Sequence, residues 1–267
     1  MPHVTSADGT RIAYDRKGTG PAVILVGGTL DDGAENAPLA RLLADHFTVY
    51  NYARRGRGAS GDTPPYALAR EVEDLDALIA TAGGSAHVYG ASSGGALALE
   101  AAAAGSAIDK IAVWDVPYVI GDDQWPRFNQ YLADTHEADK AGRDEELLEL
   151  FMRLTGGPDA DIAAYKQYPI WASSVALAHT LVKDAVILND YKIPTSRLAR
   201  ITQPVLVSTE GPTTEPQFAG LPTDFFDRAA EMIAAAVPQT ERHTLNGQGH
   251  VVAPELMARV LKTFFNQ

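Results

Sequence analysis

Continuous apolar runs alternate with amphipathic stretches along most of the chain. "PAVILVGG" (21–28) and "FTVYNYA" (47–53) are rich in β-branched and aromatic residues, and the first ends in a Gly pair. Short runs that are apolar throughout predict strands covered on both faces of a sheet. "AHVYGA" (86–91), "IDKIAVWDVP" (108–117) and "QPVLVST" (203–209) read as further strands, and "ERHTL" (241–245) as a last one. Between them, "NAPLARLLADH" (36–46), "REVEDLDALIATAGG" (70–84) and "GGALALEAAAAG" (94–105) carry helical spacing and Gly stops. Helices are also expected at 223–237 and over "PELMARVLKTFFN" (254–266). The opening "HVTSADGTRIAYDRKGTG" reads as a hairpin turning at Asp8-Gly9.

Strand and helix alternating in this way imply parallel βαβ units, hence a doubly wound α/β fold with a mostly parallel sheet. The pattern breaks between 118 and 200, where three long segments (126–157, 159–190 and 194–201) are helical with no apolar strand between them. The expected organisation is one domain: a core from 1–117 and 201–267, with a helical lid inserted at 118–200. No internal repeat is present.

Composition narrows the function classes. The net charge of −12 argues against a general affinity for nucleic acid or anionic membrane, which needs clustered Lys and Arg. The one basic cluster, "ARRGRG" (53–58), is short and Gly-rich. With no cysteine, the chain has no disulfide, no thiolate nucleophile and no Cys-based metal site. The N-terminal residues include no apolar signal-like core, and no stretch approaches the 18 apolar residues or so that a membrane span needs. A cytoplasmic protein without membrane insertion is the default expectation, with a small-molecule partner; the oligomeric state is not readable.

"VYGASSGGALAL" (88–99) carries the candidate chemistry. Gly90-Ala91-Ser92-Ser93-Gly94 matches Gly-x-Ser-x-Gly, placed between a predicted strand and a predicted helix. At such a turn the central residue takes a strained backbone and its hydroxyl stands above the carboxyl edge of the sheet. That residue is Ser92. Ser93 lies one step into the helix, so its backbone N–H points at a developing oxyanion while its side chain reads as incidental. The competing reading is a Gly-rich strand–helix turn carrying surface serines.

A serine hydroxyl needs a base. Of seven histidines, His87 and His243 fall in predicted strands, His3 and His46 at the sheet's other end or on the surface, and His136 and His179 in the inserted helices. His250, in "LNGQGHVVAPE", falls in the loop between the last strand and the last helix, which returns to the carboxyl edge. It is the candidate base, against a plain solvated loop histidine.

Taken with "LVGGT", "YNYARRGRGASG", "PVLVST" and "GQGH", these motifs make the chain resemble the α/β-hydrolases, specifically the lid-bearing serine esterase, haloalkane dehalogenase and cofactor-free haloperoxidase branch. The resemblance covers nearly the whole length. It implies a Ser–acid–His triad and an oxyanion hole, with no metal and no cofactor. It also implies a second oxyanion donor after the strand at 22–26, where Gly27-Gly28 replaces the usual His-Gly; that donor is the backbone N–H of Thr29.

Two departures from the family pattern stand out. Its D-x-R-G-x-G-x-S segment has Ala53 in place of the Asp, which implies altered loop packing without lost chemistry. The acid is expected after the strand at 203–209, yet "STEGPTTEPQ" has Thr213 at that position. Three readings remain open. Asp115, ending the strand in "IAVWDVPYV", takes the place the acid has in some haloalkane dehalogenases; a carboxylate buried there needs a partner, and His250 supplies one. Alternatively Glu210 or Glu215 reaches His250 from the usual loop, or no acid exists and a Ser–His dyad operates. The favoured set is Ser92, His250 and Asp115, with Glu210 as alternative acid.

The function expected is hydrolysis of a small or medium uncharged ester through an acyl-enzyme. Ser at the nucleophile position argues against dehalogenation and epoxide hydrolysis, which use Asp there in relatives. Acyl transfer to another acceptor, C–C bond hydrolysis, perhydrolysis and a ligand-binding pseudoenzyme are the alternatives. Trp125, Phe128, Tyr131, Tyr168, Trp171 and Leu177 suggest an apolar pocket, although aromatics at helical spacing more often belong to a core.

Overall fold

The apolar runs assemble into one eight-stranded sheet in a computed structural model that describes residues 1–211 and 218–267. The strands are β1 (His3–Thr5), β2 (Arg11–Lys17), β3 (Ala22–Val26), β4 (Thr48–Tyr52), β5 (Ala86–Ala91), β6 (Ile108–Trp114), β7 (Val205–Thr209) and β8 (Thr240–Thr244). Their order is β1-β2-β4-β3-β5-β6-β7-β8. The β1–β2 and β2–β4 pairs are antiparallel, and every pairing from β4 through β8 is parallel. Parallel pairing requires crossovers, which are supplied by α1 (Ala37–Leu43), α2 (Leu68–Thr81), α3 (Ser93–Ala104) and α10 (Phe225–Ala236); α11 (Pro254–Phe265) closes the chain.

Alternate residues of the central strands enter two separate cores. Ile24, Val26, Val88, Ile111, Val113, Val205 and Val207 pack beneath α2, α3 and α10. Val23, Leu25, Tyr89, Ala112, Trp114 and Leu206 face α1 and α11. Burial on both faces is why these strands read as unbroken apolar runs.

Between β6 and β7 lie six helices: α4 (Trp125–Lys140), α5 (Asp144–Leu154), α6 (Asp159–Tyr165), α7 (Ile170–Ala178), α8 (Leu181–Ile187) and α9 (Thr195–Leu198). Arg197 of α9 binds Glu100 of α3 with bonds of 2.7–3.0 Å. No single helix among the described residues is long and apolar enough to cross a membrane.

The basic cluster of the sequence is not a surface feature. Arg54, Arg55 and Arg57 are each 1% exposed, because each faces carboxylates from distant elements. Arg55 forks onto Asp74 and also reaches Asp8. Arg54 forks onto Glu71, and Asp184 of α8 accepts from both Arg54 and Arg57. Around Ala53 the main chain is held by Ser60, whose Oγ donates to the Ala53 carbonyl at 2.6 Å and accepts from the Ala13 N–H.

Candidate active site

The carboxyl ends of β3, β5 and β6 lead into one cavity. Ser92 sits between β5 and α3 at φ +53°, ψ −124°, the strained backbone expected of the central elbow residue. The turn closes only because its neighbours lack side chains. A Cβ on Gly90 would lie 2.3 Å from the Gly94 carbonyl oxygen, and one on Gly94 would lie 2.4 Å from that of Val26. The Ser92 N–H bonds to the Trp114 carbonyl at 2.8 Å, tying the elbow to β6.

Asp115 follows directly. It is fully buried at φ +45°, with its N–H bonded to the Ser208 carbonyl of β7 at 3.1 Å. Its Oδ2 lies 3.2 Å from His250 Nδ1, and its Oδ1 accepts the Glu210 N–H at 3.1 Å. Burial pushes the Asp115 carboxyl above the usual range, against the His250 ring and the Glu210 N–H, which pull it down. Next to it, Trp114 Nε1–H donates to the His250 carbonyl at 2.7 Å. Trp114, the last residue of β6, and Asp115 directly after it therefore hold His250 by its main chain and by its ring. Phe226 stacks on the ring with centroids 4.9 Å apart, and Phe218 meets it edge-on at 4.8 Å.

Of the candidate acids, Asp115 faces the His250 ring, whereas Glu210 meets Asp115 through its main chain. Burial and the Asp115 charge raise the Glu210 carboxyl above its ordinary range. Thr213 and Glu215 lie outside the described residues.

Ser92, His250, Gly28 and Thr29 line the same cavity, of about 180 Å³. Its remaining wall is mostly apolar. Phe128 comes from α4, Phe151 and Leu154 from α5, Leu188 and Tyr191 from the chain after α8, and Phe225 and Phe226 from α10, with Phe218 and Leu221 preceding it. Of the six aromatic and aliphatic candidates in the inserted helices, this wall takes only Phe128. Tyr131 is buried in the core, and Tyr168 is 61% exposed. Among the described residues, Glu35 is the one carboxylate on the wall, and no Lys or Arg lines it.

The Ser93 side chain corrects the sequence reading, which made it incidental. It is fully buried, and its Oγ accepts from Thr29 Oγ1 and from Arg54 Nη1, each at 3.2 Å. Sequence reasoning also missed Asp184. It lies 127 residues beyond Arg57, and no local pattern links the two.

The alpha/beta hydrolase family model matches residues 8–262. The chain belongs to the alpha/beta hydrolase family. An alpha/beta hydrolase from Sphaerobacter thermophilus DSM 20745 is similar to it at 43% identity and TM-score 0.82, over 99% of this chain and 100% of that one. The enol-lactonase from Burkholderia xenovorans LB400 (20% identity, TM-score 0.70, 100% of both chains) shares the fold. So does an esterase from Rhodococcus sp. ECU1013 (20%, TM-score 0.71, 100% of this chain and 98% of that one). For this α/β-hydrolase the family supports a hydrolytic activity, and the apolar wall bears on what is bound.

Proposed function

We propose that this α/β-hydrolase is a serine esterase acting on neutral esters with a small or medium apolar acyl group. Ser92 is the nucleophile and His250 its base, Asp115 orients the imidazole, and the N–H groups of Ser93 and Thr29 receive the oxyanion. The observation that carries the reading is the 3.2 Å approach of Asp115 Oδ2 to His250 Nδ1 in a cavity shared with Ser92.

In the first half-reaction Ser92 Oγ adds to the ester carbonyl while His250 takes its proton. The imidazolium then protonates the departing alkoxide, leaving the acyl group on Ser92. Water repeats the sequence, with His250 as its base, and releases the acid. The wall supports an apolar acyl half: an apolar cavity of about 150 Å³ is enough for a benzene ring, and this one measures about 180 Å³. Glu35 at the wall disfavours substrates that carry a carboxylate. The helices of 118–200 serve as a lid over this cavity.

Stopped-flow hydrolysis of p-nitrophenyl butyrate tests the mechanism. The expected result is a nitrophenol burst equal to the enzyme concentration, or covalent labelling by a fluorophosphonate, each lost in Ser92→Ala. Labelling that persists in Ser92→Ala overturns the assignment.

A further inference from the structure

We propose that Arg57, held by Asp184 of α8, is a positioning residue for the oxyanion hole: it fixes and polarises the Gly28–Thr29 peptide whose N–H serves as a donor. The inference rests on the hydrolytic reading above and extends it to residues outside the reacting set. Arg57 Nη1 donates to the Gly28 carbonyl oxygen. That carbonyl and the Thr29 N–H belong to one planar trans peptide, so they point in opposite directions. A guanidinium bound to the carbonyl side therefore sets the direction of the N–H on the cavity side. It also draws electron density toward the oxygen and makes the N–H a stronger donor, an effect of about 10–30% per bond in such chains.

The guanidinium is itself held rigidly. Its Nη2 contacts Asp184 Oδ1 at 2.8 Å and Oδ2 at 2.9 Å, and both side chains are 1% exposed. Asp184 Oδ1 also accepts Arg54 Nη1 at 2.9 Å. Arg54 Nη1 lies 3.2 Å from Ser93 Oγ and 3.4 Å from the Gly27 carbonyl oxygen. Both proposed donor residues thus rest against the same pair of arginines, one through the Gly28 peptide and the other through its side chain. Burial works to raise the Asp184 carboxyl, but the Arg57 and Arg54 charges outweigh it and hold it below its ordinary range. A buried ion cluster is weak as a source of stability, since apolar replacements of equal volume often serve as well. Its placement behind the oxyanion peptide gives it a different task.

The device also explains how α8 of the insertion takes part in the chemistry without itself lining the cavity. Asp184 is the only one of these residues outside the sheet's own crossovers and turns; α8 carries it in from the insertion. Displacing α8 removes the carboxylate that holds Arg57.

The test uses the full-length protein and an alkyl trifluoromethyl ketone, which adds to a serine hydroxyl and places a stable oxyanion in the hole. Arg57→Met and Asp184→Asn are compared with wild type for ketone inhibition constant, and for kcat and KM on p-nitrophenyl butyrate, with thermal melting as a folding control. In Arg57→Met the expected result is a kcat about 10- to 100-fold lower, KM within about 2-fold, and ketone affinity reduced by the same factor as kcat. Asp184→Asn is nearly isosteric and is expected to show the same pattern at about 10-fold or less. It keeps the test decisive if Arg57→Met does not fold. A purely structural role would lower the melting temperature but leave kcat and ketone affinity of the folded protein unchanged, and that result overturns the proposal. A wild-type protein that binds no ketone overturns the hydrolytic reading and this inference with it. Wild-type binding that both variants retain in full overturns this inference alone.

Discussion

Asp115 adopts a left-handed backbone that costs a non-glycine residue about 1–3 kcal/mol, and it does so with its carboxyl out of reach of water. The conformation turns the carboxyl from the end of β6 toward His250 while Glu210 N–H takes the other oxygen. Under the proposed mechanism, Asp115→Asn is expected to lower kcat on p-nitrophenyl butyrate by about 10,000-fold, because the amide favours the wrong imidazole tautomer. Glu210→Gln is expected to stay within about 3-fold, since Glu210 meets the relay through its main chain. Glu210→Gln has a consequence for stability as well. The folded protein raises the Glu210 pKa above its ordinary value near 4.5. Between those two values the folded state binds more protons than the unfolded state, so stability falls as pH rises through that window. Above it the ionised carboxylate is a constant penalty. Glu210→Gln is therefore expected to melt higher than wild type at pH 8, with the gain vanishing below about pH 4; melting curves across that range check the sign.

Among the elements, strands and helices were legible because each states its surroundings locally. The runs at 22–26 and 205–209 are apolar on both faces because helices cover both faces, and the glycines at 90 and 94 announce an elbow because only they permit its contacts. Asp115 was readable as a candidate because a carboxylate at the end of a buried strand is conspicuous. Arg54, Arg57 and Asp184 were not, since the partners of a charged side chain are set by tertiary packing and charges usually point to solvent. The cavity wall failed for a related reason: helical spacing marks Phe151 or Leu188 as inward-facing but does not distinguish a filled core from a lined void. The far end of β5 supplies a prediction of its own. His87 stacks on Phe265 of α11 with centroids 4.7 Å apart, and Phe47 meets it edge-on. Burial lowers its pKa below the ordinary value near 6.5. The unfolded chain then takes up a proton before the folded one does, so stability declines as pH falls below about 6.5 and levels off beneath the folded pKa. In His87→Phe the decline in melting temperature from pH 7 to pH 5 is expected to be shallower than in wild type.

At the scale of the molecule, the sheet provides the reacting groups and the segments beyond it provide most of the wall. Phe151 and Leu154 of α5 are part of that wall. Phe151→Ala is expected to lengthen the acyl half that fits, raising the octanoate-to-butyrate ratio of kcat/KM by about 10-fold, the order of discrimination an apolar pocket achieves. A set of p-nitrophenyl esters of increasing chain length measures it. An unchanged ratio would mean that the acyl group binds elsewhere. The folded ensemble divides labour in a way that bears on its history. Because Trp114 and Asp115, at the end of β6, supply both the indole and the carboxylate that hold His250, the proposed proton relay draws no side chain from the end of β7. In the commoner family pattern the acid itself lies in the loop after that strand. Here drift or deliberate substitution at Leu221, which follows β7 and lines the cavity, can alter what is accepted without disturbing how the bond is cut, which makes that position a natural place to start when new substrates are sought.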